Sequence, residues 1–142
     1  EVFFVMYAIG DLSRRTGVKV PTIRYYEQMG LISAPDRTEG NQRRYEKADL
    51  DRLAFIRHAR DLGFPIEAIR ELLTLSRHPE EPCGAADRIA REQLDEVREK
   101  IVKLKKLEAE LARIVSHGEC HKVGDCYVIR ALSDHGLCEQ EH

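Results

Sequence analysis

From about Ala85 to Val115 the sequence reads as one uninterrupted helical pattern, more than eight turns at 3.6 residues each. Leu94, Val97, Ile101, Leu104, Leu111 and Val115 recur at alternating steps of three and four, with Glu108 at one seam position. A single helix with so narrow an apolar stripe is not stable alone in water. No second long helical pattern exists in the chain, so the stripe predicts a homodimer built on a two-stranded coiled coil. Spacing alone leaves strand direction and handedness open.

The rest of the 142 residues must fit around that helix, which leaves room for one small domain. Charged residues make up 34% of the chain and aromatics 6%, with no Trp, which favours helices with wide solvated faces. The net charge of −2 is unevenly divided. Tyr7 to Arg60 carries 11 Lys/Arg against 7 Asp/Glu, whereas Glu80 to His142 carries 10 against 14. A basic front half is a mild pointer to an anionic partner. The one long apolar run, Val2–Ile9, is too short to span a bilayer and lacks the flanks of a signal peptide. It reads as a start-site extension or an edge strand. The expectation is therefore a cytoplasmic protein without membrane partners, in which thiols stay reduced. Of four cysteines, three fall in the last 23 residues, and in that setting they suit ligands or sensors better than staples.

Two short helical patterns open the front half. "AIGDLSRRTG" has Ile9 and Leu12 as anchors and Gly17 as a stop, and "VPTIRYYEQMG" has Pro21 in its first turn and Ile23, Tyr26 and Met29 on one face. Joined by the turn Gly17-Val18-Lys19, they form a candidate helix-turn-helix, although any two packed short helices share that pattern. Pro35, Asp36, Gly40 and Asn41 then mark turns, and Glu39-Gly40-Asn41-Gln42 reads as a hairpin tip flanked by Arg37, Arg43 and Arg44. A hairpin of this kind beside a helix-turn-helix gives a winged module, with a helix for the major groove and guanidiniums for the phosphates. Two more helical patterns follow, with Leu50, Leu53, Phe55, Ile56 and Leu62 apolar in the first. In the second, Ile66, Ile69, Leu72 and Leu73 are expected to face inward. Arg57 and Arg60 share a face, either as phosphate contacts or as an ordinary solvated surface. "SRHPEEPCGAAD" breaks the chain before the long helix. After it, "GECHKVGDCYVI" is open to three readings from its residues: a metal-gripping loop, a disulfide, or the polar end of a helix.

The stretches "YAIGDLSRRTGVKVPTIRYYEQMGLI", "RTEGNQRRY" and "LAFIRHARDLGFPIEAIRELL", taken with the terminal cysteines, resemble the MerR family of transcriptional regulators, closest to its metal-responsive branch. The resemblance runs from Met6 to Leu132. It implies a mainly α fold: a winged helix-turn-helix DNA-binding domain, a long antiparallel coiled-coil dimerisation helix and a short C-terminal metal-binding loop. The corresponding boundaries are a DNA-binding domain over 6–76, a hinge over 77–84, the dimerisation helix over 85–116, and the effector loop, short helix and tail over 117–142. It further implies a homodimer on a palindromic operator in double-stranded promoter DNA. Effector binding there bends and undertwists the DNA so that RNA polymerase finds its two recognition elements aligned, which is indirect readout used as a switch. Carried over position by position, the DNA-contacting residues are Arg24 and Tyr25 on the second helix, Arg37, Arg43 and Tyr45 at the wing, and Arg57 and Arg60 beyond it. Arg24 is the one suited to a bidentate contact with a guanine edge. The family usually has an aromatic residue at the wing tip where this chain has Gln42.

With antiparallel pairing implied, Cys83 before the long helix of one protomer approaches Cys120 and Cys126 after that of its partner. Three thiolates suit Zn²⁺, Cd²⁺, Pb²⁺ or Hg²⁺, and His121 or His117 could complete a tetrahedral zinc set. In the family, cysteine at the Cys83 position accompanies divalent-ion sensors. The implied site is Cys83, Cys120, Cys126 and His121, with Cys138 an accessory donor, a free tail thiol or a donor to a second metal. The Cys120–Cys126 loop holds only five intervening residues, fewer than most of the family's metal loops. The alternative on the same frame is a thiol-based redox or electrophile sensor. An enzyme is not expected, since a zinc hydrolase needs an open metal position and a general base, and no H-E-x-x-H pairing is present.

Overall fold

In the computed structural model, residues 6–33, 36–37, 43–119 and 121–134 are described; for Asp36, Arg37 and Arg43 the description covers the backbone only. Two short helices come first, α1 (Ile9–Thr16) and α2 (Val20–Gln28). A two-stranded antiparallel sheet follows, β1 (Asp36–Arg37) with β2 (Arg43–Arg44), then α3 (Lys47–Asp61), α4 (Ile66–Ser76), α5 (Gly84–Val115) and α6 (Tyr127–Ser133). The chain divides into two compact units, one up to Ile89 and one from Ala90.

The first unit is built as a helix-turn-helix with a wing. Gly17 ends α1 at φ 75°, a left-handed conformation that only glycine adopts without strain, and its N–H donates to the Ser13 carbonyl at 2.7 Å. The chain then turns into α2, where Pro21 fills a first-turn position that needs no intrahelical donor. Leu12, Ile23, Tyr26, Leu31, Ile32, Tyr45, Leu53, Ile56, Ile69 and Leu73 are buried together as one core. The wing is held at its root, because Tyr7 and Tyr45 exchange backbone hydrogen bonds of 2.7 and 2.8 Å. β2 therefore runs directly into an anchored residue. The expected hairpin tip, Glu39 to Gln42, lies outside the described residues, as does Gln42's place in it.

Helix α3 begins with a reciprocal capping box: Asp49 accepts from the Glu46 N–H at 2.9 Å, and the Glu46 side chain accepts from the backbone of Asp49. Its inward face is narrower than the apolar residues of the sequence suggest. Leu53 and Ile56 are buried, whereas Phe55 lies next to Ile56 but a third of a turn away and is exposed. Leu62, just past the helix, is exposed as well. Arg52, half-buried, donates from Nε to the Leu31 carbonyl and so satisfies a polar group in the turn after α2. Burial, and then the charge of Arg77, hold its pKa below the ordinary value.

Helix α5 has 32 residues and starts at Gly84. Leu94, Val97, Ile101, Leu104, Leu111 and Val115 all remain exposed along it, Leu104 and Leu111 at 62% each. So large an apolar stripe facing solvent on a single chain is the signature of an uncovered interface. Within the second unit, a 3-10 turn at Val123–Asp125 leads to α6. Among the described residues, no helix is long and apolar enough to cross a membrane.

Candidate nucleic-acid interface and metal centre

The residues expected at DNA differ in what the fold does with them. Arg24 and Tyr25 stand exposed on α2, the second helix of the helix-turn-helix. Tyr25 is 48% exposed and its ring lies 6.0 Å from that of buried Tyr26, so one tyrosine of the pair anchors the helix and the other faces out. Arg37 and Arg43 are direct partners across the β1–β2 ladder, which places both on the wing at the same level; their side chains lie outside the description. Arg57 and Arg60 are exposed on α3.

Tyr45 requires a correction. Expected among the DNA contacts, it is fully buried. Its hydroxyl donates to the Glu27 carboxylate on α2, and its backbone is locked to Tyr7. A side chain without exposed surface cannot touch a phosphate, so Tyr45 acts by fixing the wing root against α2.

The arginines of α3 also have structural work. Arg57 donates from Nη1 to the Thr16 carbonyl at 2.8 Å, supplying a donor at the C-terminal end of α1. Its guanidinium lies over Gly17, where a Cβ would come within 1.8 Å of Nη1. Arg60 donates from Nη1 to the Phe64 carbonyl at 3.0 Å. Gly17, Lys19, Thr22, Arg57 and Arg60 line one shallow groove where the helix-turn-helix meets α3. Lys19 was not singled out in the sequence, since nothing local marks it; only the fold brings it beside the two arginines.

The residues expected as metal donors sit at positions flanking α5. Cys83 is exposed immediately before the helix, on the rim of an apolar pocket that includes Phe55, Leu72, Leu75 and Pro79. Cys126 is half-buried at the N-cap of α6. Neither is in a disulfide. His121 is exposed, while Cys120 and Cys138 lie outside the described residues. Among the described residues no three His, Cys, Asp or Glu side chains converge as a metal-holding group. The donors that are described, soft thiols with imidazoles near one of them in sequence, fit a thiophilic divalent ion by their chemistry.

Beside Cys126 the second unit carries a polar cluster that the sequence did not reveal. Arg113 on α5 pairs with Glu110 at 2.5 Å, and Glu110 is only 5% exposed. Arg113 also donates from Nη1 to the Tyr127 hydroxyl at 2.8 Å. The hydrogen bond to Glu110, and then that to Tyr127, hold the Arg113 pKa above its ordinary value. The His117 ring stacks on Tyr127 with centroids 3.5 Å apart and planes 2° from parallel. Its Nδ1 lies 2.9 Å from the Arg113 carbonyl.

With this geometry in hand, comparison with known proteins is direct. The MerR HTH regulatory-protein family pattern matches residues 7–75, and the MerR DNA-binding pattern matches residues 50–114. The chain is 42% identical over 130 residues to the HTH-type transcriptional regulator ZntR of Escherichia coli K12, covering 89% of this chain and 92% of that protein. The chain belongs to the MerR family. As a member it is a DNA-binding transcription regulator and not an enzyme. Among solved structures, the lead(II) complex of the regulator PbrR691 from Ralstonia metallidurans CH34 is similar. It has a TM-score of 0.73 and 34% identity, over 89% of this chain and 98% of that one. The mercury(II) complex of MerR from Bacillus megaterium MB1 aligns with a TM-score of 0.66 and 29% identity, over 90% and 100%.

Proposed function

We propose that this MerR-family chain is a homodimeric, metal-responsive regulator that binds a palindromic operator in promoter DNA and activates an efflux or detoxification gene. The apolar stripe of α5 carries the reading. Leu94 through Val115 stand exposed on one chain, and a second copy packed alongside removes that surface from water. A helix of 32 residues rises about 48 Å. Thiols flanking its two ends therefore share an ion when the second copy runs in the opposite direction. Cys83 of one protomer then joins Cys120 and Cys126 of the other, with an imidazole as fourth donor.

Relatives solved with lead(II) and mercury(II), and one named a mercuric resistance operon regulatory protein, support a thiophilic divalent effector. In this reading α2 enters the major groove with Arg24 and Tyr25, while Arg37 and Arg43 on the wing and Arg57 and Arg60 on α3 hold phosphates. Filling a site made from both protomers changes which DNA distortion is cheapest, and RNA polymerase reads the result. The domain boundaries at 6–76, 77–84, 85–116 and 117–142 belong to the same proposal.

Transcription from the cognate promoter, with Zn²⁺, Cd²⁺, Pb²⁺, Hg²⁺, Cu⁺ and the thiol oxidant diamide added singly, tests it. One or more divalent ions are expected to activate, and Cys83→Ser to abolish the response. Activation by diamide and by no metal would establish a redox sensor instead. A full metal response in Cys83→Ser would remove the cross-protomer site.

A further inference from the structure

The shallow groove in the first unit gathers charge from three places in the chain. Lys19, just before α2, lines it together with Arg57 and Arg60 on α3 and half-buried Thr22. Its volume is about 240 Å³, room for one phosphate group with a few waters of about 30 Å³ each.

The three cations are not equivalent. Arg57 is committed on two sides: Nη1 donates to the Thr16 carbonyl at 2.8 Å, and Nε lies 3.9 Å from the Asp61 carboxylate. Asp61 lines the same groove and offsets that charge. Arg60 gives one N–H to the Phe64 carbonyl at 3.0 Å, which orients its guanidinium without neutralising it and leaves its other donors available. Exposed Lys19 makes no hydrogen bond or ion pair among the described residues. Two cations without a carboxylate partner therefore line one concave surface, where their fields add and favour an anion.

The backbone that carries Lys19 is held in advance. Gly17, two residues earlier, donates its N–H to the Ser13 carbonyl, Arg57 holds the Thr16 carbonyl, and Val18 is buried. Only the flexible stem of Lys19 is left to be ordered when an anion arrives, which keeps the cost of binding small.

We propose that this groove seats one backbone phosphate of the operator, clamped between the Lys19 ammonium and the Arg60 guanidinium with the Thr22 hydroxyl as a third donor. The inference rests on the reading of DNA binding through α2 and not on any effector. Lys19 stands five residues before Arg24, so a phosphate held there fixes the register in which Arg24 meets a base edge. The clamp itself carries no sequence information. Arg57 supports the turn from which Lys19 reaches.

Fluorescence anisotropy tests this, with the full-length protein and a duplex that the wild type has selected from a random-sequence pool. Lys19→Gln is expected to weaken binding about 5-fold for each protomer bound, the upper end for an exposed ion pair. The loss should be equal on the selected duplex and on its single-base variants, and Lys19→Arg, which keeps the charge, should recover most of it. Neutral methylphosphonates placed singly along the duplex locate the phosphate. One position in each half-site should leave neither Lys19→Gln nor Arg60→Gln anything further to lose. Masking of the two variants at different positions would overturn the shared clamp, and unchanged affinity in Lys19→Gln would remove Lys19 from the interface. A loss confined to one base pair would make Lys19 a base contact and likewise overturn the assignment. Failure of the wild type to bind any duplex would instead remove the DNA contact on which the inference rests. Circular dichroism on each variant separates a lost contact from a lost fold.

Discussion

The Tyr45 hydroxyl donates to the Glu27 carboxylate, joining the residue that follows the wing to the second helix of the helix-turn-helix. Tyr45 is also fully buried and backbone-paired with Tyr7, so this bond ties the root of the wing to α2. Tyr45→Phe removes the hydroxyl and little volume. It should lower stability by about 1.5–3 kcal/mol, the usual worth of a hydrogen bond to a charged group. Urea unfolding at fixed protein concentration measures the loss. Operator affinity is expected to change little under folding conditions; unchanged stability with lost binding would show that Tyr45 acts at the DNA after all.

Gly17 carries two constraints, its left-handed φ of 75° and the Arg57 guanidinium lying over it. Gly17→Ala should cost about 1–2 kcal/mol from backbone strain. It also pushes Arg57 off the Thr16 carbonyl, which a flexible side chain can accommodate. In an Arg57→Ala background the cost should shrink but persist, because the strain remains when the clash is gone. Thermal melts of the four proteins in this cycle separate the two terms, and complete loss of the cost in that background would mean the backbone is unstrained.

Arg24 and Arg60 are both exposed, yet they should behave differently at an operator. Arg24→Ala on α2 should cost about 1–3 kcal/mol and relax preference at one base pair. Arg60→Ala should weaken binding to all sequences alike and reduce the log–log salt slope by about 1. Fluorescence anisotropy across a salt series, with matched and single-substituted operators, distinguishes them. Identical behaviour of the two variants would place Arg24 on phosphate.

Glu108 occupies a seam position between Leu104 and Leu111 and is exposed in the single chain. A polar residue in a coiled-coil seam costs stability. Glu108→Leu should therefore raise the urea midpoint and tighten the dimer, by an amount on the order of 1–3 kcal/mol for a buried leucine. Sedimentation at low protein concentration reads the change directly. No shift would mean position 108 lies outside the interface.

Much of this architecture follows from periodicity and punctuation in the chain. Gly17 and Pro21 mark the end and start of α1 and α2, and the alternating three–four stripe from Leu94 to Val115 announces both the length of α5 and its need for a partner. These signals are local: a left-handed glycine, a proline in a first turn and an apolar face each depend on residues a few positions apart. The soft-donor chemistry of Cys83, Cys120 and Cys126 is equally a property of residue type. What the chain alone could not show depends on groups far apart in sequence. Tyr45 looks like one more wing residue until its hydroxyl meets Glu27, 18 positions earlier. Arg57 reads as a phosphate contact, and only the fold shows that it also holds the Thr16 carbonyl, 41 positions away. The neighbours of His117 are equally invisible in the sequence: Tyr127, ten positions on, stacks against its ring, and its Nδ1 lies 2.9 Å from the Arg113 carbonyl. Hydrogen-bond partnership and burial decide these roles, and neither exists until the elements pack.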